Sequence, residues 1–250
     1  MLDTFIKISL LSLLLLLNAG CAGFVQYEPN KNRNSSTPAK NNVTHHRVKA
    51  GETLYSIAFE YGRDYRDVAR WNRISRSYTI YPKQKLRIVP ITSDRPEIRK
   101  KKVNSGVPRV KNRVTVDDKT SYVSNSELKW SWPTQGKVVS TFSIRDPGRR
   151  GIDIIGRKGQ PVKAAAAGRV VYRGNGLRGY GNLIIIKHND TYFSAYAHTE
   201  DVVVKENEKV KLGQRLADMG NTSSVKTKLH FEIRRNGKPV NPMSYLPKRR

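Results

Sequence analysis

The chain has 250 residues, of which 37% are apolar, and it carries a formal charge of +27 at pH 7. This length allows one large domain or two small ones, and the low apolar content argues against one compact globule and indicates long solvated connectors. Cys21 is the only cysteine, which excludes an intramolecular disulfide.

The longest apolar run lies near the N-terminus, where Lys7 is followed by ISLLSLLLLLNAG. A hydrocarbon core of about 30 Å needs a longer helix than this run provides. The pattern predicts an export signal over residues 1–20. The alternative is a buried N-terminal helix.

The end of this run, LNAGC, resembles the lipobox of bacterial lipoproteins, with Asn18 as a departure from its usual aliphatic or small residue. The resemblance implies a mature chain that starts at a lipidated Cys21 and is held in a membrane by acyl chains. Ala22 implies sorting to the outer membrane, with the protein on its periplasmic face.

The basic charge consists of 47 Lys and Arg residues against 20 Asp and Glu residues. In a cytosolic protein this excess would point first to nucleic acid. Export removes that partner and leaves anionic lipid headgroups and the carboxylates of the cell wall. A generally basic proteome with solvated lysines is the alternative explanation.

Two segments have the composition of flexible connectors, because they are polar and lack an apolar period. They are the tether at 21–45, which contains His45, and the basic linker at 92–129. Two ordered regions are predicted beside them, at 46–91 and 130–247. The adjacent His45 and His46 are interpreted as a linker pair and not as metal ligands.

The first ordered region has the pattern strand, helix, helix, strand. Its first helix is predicted from an apolar stripe with Thr53 as N-cap and Gly62 as the stop, and its second from Asp64 with Asp67 as a capping box. The apolar positions of the two helices are Leu54, Ile57, Ala58, Tyr61, Val68, Trp71 and Ile74.

Three parts of this region, VKAGETLYSIA, Asn72 and IYPKQKLRIV, resemble a LysM domain. The resemblance implies binding of the glycan of peptidoglycan, with Lys83 as a departure from the usual glycine. The implied glycan contacts are Gly51, Thr53, Leu54, Ile80 and Tyr81. The alternative is that these residues only form turns and helix caps.

The second ordered region consists of short apolar or alternating runs separated by Gly, Asn and Pro, which predicts an antiparallel β domain. The run GNGLRG at 174–179 matches a dinucleotide-binding pattern, but a β-branched strand follows it where that motif needs a helix. A hairpin loop is therefore predicted there. The overall fold class is α+β: a small βααβ domain and a mainly antiparallel β domain.

This region resembles the LytM or lysostaphin type of zinc endopeptidase through RRGIDI, YAH and LHFEI, among other runs. Active members bind zinc through H-x-x-x-D and the second histidine of H-x-H. The resemblance gives Asp153 and His230 ligand positions and His198 the position of a catalytic histidine. Arg149 replaces the remaining ligand, and Lys228 replaces the other catalytic histidine.

Those two replacements predict a site without metal or other cofactor. A catalytic zinc site needs three protein ligands, and a guanidinium has no lone pair to offer. Two cations would also repel a divalent ion. Arg149 and Lys228 are expected instead to compensate the charge of Asp153. The alternative for His198 and His230 is that they are hydrogen-bonded core histidines.

A LysM domain followed by a LytM-type domain without its full ligand set, on an exported lipoprotein, resembles the murein hydrolase activators typified by NlpD. The resemblance implies that the chain is not an enzyme and that it activates N-acetylmuramoyl-L-alanine amidases in daughter-cell separation. Its binding surface would be the groove lined by Arg149, Asp153, His198, Lys228 and His230. The alternatives are an active zinc endopeptidase and a passive cell-wall tether.

Overall fold

The computed structural model describes residues 43–90, 128–146 and 148–249. The predicted signal at 1–20, the lipidation site Cys21 and most of the two predicted connectors lie outside the described residues. Within the described ranges, every helix is too short or too polar to cross a membrane.

The LysM region folds as predicted, into strand, helix, helix and strand. Strands β1 (His45–Arg47) and β2 (Lys85–Arg87) pair antiparallel. Helices α1 (Leu54–Glu60) and α2 (Tyr65–Trp71) lie between them along the chain. Strand β1 begins at His45, one residue before the predicted start of the domain. His46 is buried and bonded to Glu52, so the interpretation of the histidine pair as part of a linker is wrong.

The two helices begin where capping residues predict. The Thr53 hydroxyl accepts from the Ser56 amide and the Ser56 hydroxyl accepts from the Thr53 amide, which is a reciprocal capping box. Asp64 caps α2 through the amide of Arg66. The predicted box with Asp67 is wrong, because that carboxylate pairs with Arg70 one turn later.

The second region is an antiparallel β domain, as predicted. Its strands are β3 (Val138–Ser140), β4 (Ile152–Ile155), β5 (Pro161–Lys163), β6 (Gly168–Gly174), β7 (Asn182–Lys187), β8 (Tyr192–Glu200), β9 (Lys209–Val210), β10 (Arg215–Met219), β11 (Lys228–Arg235) and β12 (Lys238–Val240). A 3-10 turn follows at Pro242–Ser244. Strands β6 and β7 pair as a hairpin around GNGLRG, which confirms the predicted loop.

The main sheet has the strand order β3-β4-β11-β8-β7-β6-β9, with β12 beside β11 and the β5-β10 pair attached through β8. Side chains alternate across it, so each face has its own apolar cluster. One face buries Leu229, Phe231 and Ile233 of β11 in a core made by the β domain alone. The opposite face packs against the LysM helices.

The contact between the two domains is an apolar core in its own right. Phe193 and Ile185 of the sheet share one cluster of buried side chains with Phe59 and Tyr65 of the LysM helices. The Tyr65 hydroxyl donates to Asp190 at 3.1 Å. The sequence predicts two separate ordered regions. In the structure, however, the LysM domain covers an apolar face of the sheet that would otherwise meet water.

Candidate functional site

The centre of the predicted groove is a pair of residues on neighbouring strands. Asp153 on β4 lies directly opposite His230 on β11 in the antiparallel register, so both side chains emerge on the same face. The Nδ1 atom of His230 lies 2.7 Å from the Asp153 carboxylate. The structure therefore brings together the two residues that the resemblance places at ligand positions.

Lys228 completes the environment of Asp153. Its Nζ atom donates to the second carboxylate oxygen at 2.7 Å, and its side chain is 25% exposed. Burial alone would raise the pKa of Asp153, but its hydrogen bonds with His230 and Lys228 lower it to about 2. The carboxylate is ionised at neutral pH and has a cationic partner at each oxygen.

His230 is a cation in this arrangement. Burial alone would lower its pKa, but hydrogen bonds to Asp153 and Glu232 raise it to about 9. Its Nε2 atom lies 3.2 Å from Oε1 of Glu232. Both ring nitrogens therefore carry protons at neutral pH and donate them to carboxylates.

Two further residues of β11 extend this network beneath the LysM domain. Glu232 is fully buried and accepts from Arg234 at 2.8 Å and from the Tyr180 hydroxyl at 2.8 Å. Burial raises the pKa of Glu232, but the charge of Arg234 and the bond from His230 outweigh it and bring the value to about 2. The charges alternate along a series of bonded side chains, which is called the charged ladder below: Lys228, Asp153, His230, Glu232 and Arg234.

Sequence reasoning missed Glu232 and Arg234, although a signal for them is present. In KLHFEIRR, positions 228, 230, 232 and 234 are all charged or titratable, whereas 229, 231 and 233 are apolar. This alternation places the four polar side chains on one face of a strand. The missing information was that the LysM domain covers Arg234, at one end of that face.

His198 lies beside His230 and has a strained backbone. Its φ is 62°, in the left-handed region that a residue with a Cβ adopts at a cost of about 1 kcal/mol. Its Nδ1 atom donates to the Thr222 carbonyl at 2.7 Å, and its ring centroid is 6.2 Å from that of His230. Burial lowers its pKa, which favours the neutral form of the ring.

Arg149 does not compensate Asp153, contrary to the sequence-based hypothesis. Its guanidinium donates to the carbonyl oxygen of Thr141 at 2.8 Å and to the Thr141 hydroxyl at 2.7 Å. The reason is local, since the loop that carries Arg149 folds back against residues 141–143 through a backbone bond from Ser143. His230 and Lys228 supply the two cationic contacts to Asp153 instead.

The donor atoms present do not fit a catalytic zinc ion. Such a site needs three protein ligands and an open position. Nδ1 of His230 is protonated and directed at Asp153, and the ammonium of Lys228 lies against the other carboxylate oxygen. Among the described residues, the one close cluster of three metal-ligating side chains lies in the LysM domain, at His46, Glu52 and Glu60.

The predicted glycan contacts lie around the start of α1 and in the loop before β2. Gly51 and Tyr81 are exposed, and Ile80 is partly exposed. Leu54 is only 1% exposed, so its side chain belongs to the LysM core and only its backbone is available to a sugar. The Thr53 hydroxyl also donates to the carbonyl of Val171 in the β domain at 3.2 Å.

Comparison with known proteins agrees with both domain resemblances. Residues 46–89 match the LysM domain, and residues 147–242 match Peptidase family M23. A relative in Pseudomonas aeruginosa, the lipoprotein NlpD/LppB homolog, is 40% identical over 247 residues, which span 87% of this chain and 83% of that protein.

Two proteins of Escherichia coli are similarly close. The murein hydrolase activator NlpD is 40% identical over 255 residues, covering 81% of this chain and 67% of that protein. The uncharacterized lipoprotein YgeR is 40% identical over 243 residues, covering 96% of this chain and 92% of that protein. These matches extend across both domains.

Proposed function

This chain belongs to the NlpD/LppB lipoprotein family, and on that premise we propose that it activates N-acetylmuramoyl-L-alanine amidases and does not cut peptidoglycan itself. In this role it acts in cell-wall remodelling and daughter-cell separation. Its LysM domain binds the glycan of peptidoglycan. A lipid anchor at Cys21 holds it to the outer membrane on the periplasmic face.

The observation that carries this proposal is the pair of bonds to Asp153. A peptidase of this fold uses that carboxylate to hold a metal, whereas here Lys228 and His230 neutralise it. The ammonium group of Lys228 therefore takes the place of the metal ion as the positive charge beside Asp153. The fold keeps a groove with defined charges but lacks the centre that would activate water.

Amidase activation follows from a shift of populations. An activator that binds the open form of an enzyme more tightly than its self-inhibited form raises the open fraction, by tenfold for each 1.4 kcal/mol of preference. The groove offers Lys228 and Arg149 as cationic contacts, which complement an acidic segment of a partner.

A dye-release assay on labelled peptidoglycan tests the proposal with three samples: this protein, an amidase, and the two together. We expect dye release from the amidase to rise when the protein is added and no release from the protein alone. Release by the protein alone that stops on addition of a chelator would establish a peptidase instead. Binding to the wall with no change in the amidase rate would establish a passive tether.

A further inference from the structure

Helix α1 touches both the predicted glycan site and the charged ladder. At its N-terminus, Thr53 caps the helix and donates its hydroxyl proton to Val171 of the β domain. In its last turn, the carbonyl of Phe59 accepts from Nη1 of Arg234. A single rigid element of seven residues therefore joins two sites that belong to different domains.

Arg234 is held almost wholly by groups that the LysM domain provides or covers. It is 1% exposed, and its guanidinium carbon lies 3.3 Å from the centre of the Phe59 ring. The carbonyls at a helix C-terminus favour a cation, which adds to the attraction. If α1 moved away from the sheet, Arg234 would lose the Phe59 carbonyl and ring and would be exposed to water.

A change at Arg234 would reach the groove through direct bonds. Arg234 bonds to Glu232, Glu232 to His230, and His230 to Asp153. Each carboxylate in this series lies between two cations. If Arg234 leaves Glu232, the strength of the bond between Glu232 and His230 therefore changes. Lys228, at the far end, is the part of the ladder that a partner in the groove would meet.

We propose that glycan binding at the LysM domain is linked to the state of the groove through α1 and Arg234. The Thr53 hydroxyl has one proton, which a sugar acceptor and the Val171 carbonyl compete for. A bound sugar therefore weakens the contact between α1 and the sheet, and Arg234 then loosens the hold of Glu232 on His230. The inference rests on the proposed glycan binding but not on the proposed amidase.

The test uses the two ring N–H groups of His230, which report on the ladder directly in long-range proton–nitrogen NMR spectra of the full chain. The probe is the tetramer of N-acetylglucosamine. We expect saturation with the tetramer to speed exchange of these protons with water by about fivefold or more, the lower end of usual coupling between linked sites. The ring of His188, bonded to Ala167 and Ser194, is the internal control and stays unchanged.

Matched variants locate the path. In Arg234→Gln the tetramer binds as in the wild type, but His230 no longer responds to it. In Arg235→Gln, which changes the neighbouring exposed arginine, the response is retained. If Arg234→Gln fails to fold, Thr53→Val decides, measured at a tetramer concentration that saturates it: it lacks the hydroxyl, so the bound tetramer causes no further change in His230, whereas Thr53→Ser responds like the wild type.

Three results would overturn the inference: no binding of the tetramer, binding that leaves His230 unchanged or slows its exchange, and a full response in Arg234→Gln. Its outcome is separable from that of the proposed function. An amidase stimulated by a chain whose His230 ignores the sugar would support the function alone. A sugar response without stimulation of any amidase would support the linkage alone.

Discussion

The ammonium of Lys228 lies 2.7 Å from Oδ2 of Asp153, on the carboxylate that would bind metal in a peptidase of this fold. On the other oxygen, protonated His230 donates at the same distance. The charge of the carboxylate is thus balanced by the protein itself. The site therefore keeps an ionised carboxylate at its centre, although its donor atoms do not fit zinc.

Restoring the lost side chains should restore metal binding. We expect the double variant Arg149→His, Lys228→His to bind about one zinc per chain, because it supplies a third ligand and removes two cations from the site. Metal analysis of purified, tag-free protein measures this. Arg150→His in place of Arg149→His is the matched control, and equimolar zinc in the wild type would refute the account of the groove.

Removing the charge of Asp153 should destabilise the fold. In Asp153→Asn the shape is kept, but Lys228 and His230 face each other without a carboxylate between them. We expect the free energy of unfolding to fall by about 3 kcal/mol, as when one partner of a buried ion pair is lost. Urea unfolding at pH 7 measures it, with the exposed Asp201→Asn as control. Equal stability of the two variants would show that the charge of Asp153 does not stabilise the fold.

The raised pKa of His230 gives the stability a pH dependence on the alkaline side. The folded value of about 9 exceeds the ordinary value of 6.5, so the contribution is complete below pH 6.5 and is lost as the pH rises through 9. The expected loss is on the order of 3 kcal/mol. Urea unfolding across this range, with chelator present, should show the decline in the wild type, and His230→Gln should show a flat profile.

Docking of the two domains should depend on Gly237. Its φ is +75°, and a Cβ there would lie 2.1 Å from the carbonyl oxygen of Arg63 in the LysM domain. Gly237→Ala should therefore lower the free energy of unfolding by roughly 1 kcal/mol, the cost of an alanine at such a φ. The added Cβ should also push the two domains apart. Limited proteolysis measures the second effect.

Gly213→Ala provides the matched control for this substitution. It has φ +78° with no atom within 4 Å of the added Cβ, so it carries the backbone cost alone. If the two variants were cleaved at the same rate, the contact between the LysM domain and the sheet would not depend on close approach at Gly237.

Much of the fold was predictable because it follows local rules. The apolar stripe and Thr53 fixed α1, and the β-branched runs between glycine turns located the strands of the main sheet. The family resemblance assigned Asp153, Lys228 and His230 to one site, and the register of β4 and β11 explains why they meet.

What the sequence did not reveal depends on contacts between distant parts of the chain. Arg149 was expected beside Asp153 from a spacing of four residues, but a loop conformation directs it to Thr141. The sequence around Glu232 and Arg234 has the pattern of an ordinary alternating strand, because the residue that covers Arg234, Phe59, lies 175 residues away along the chain. Such burial has no local signature.

The most direct test of the central claim is the rate of dye release by an amidase with the wild-type chain or with Arg149→Glu. Arg149 is a predicted groove residue that bonds to Thr141 and not to the ladder, so its reversal leaves the ladder bonds intact while it changes the charge that a partner would meet. We predict at least about tenfold weaker stimulation, the effect of 1.4 kcal/mol, with Arg157→Glu, at an exposed site, behaving like the wild type. Undiminished stimulation by Arg149→Glu would contradict the claim that this groove is the activating surface.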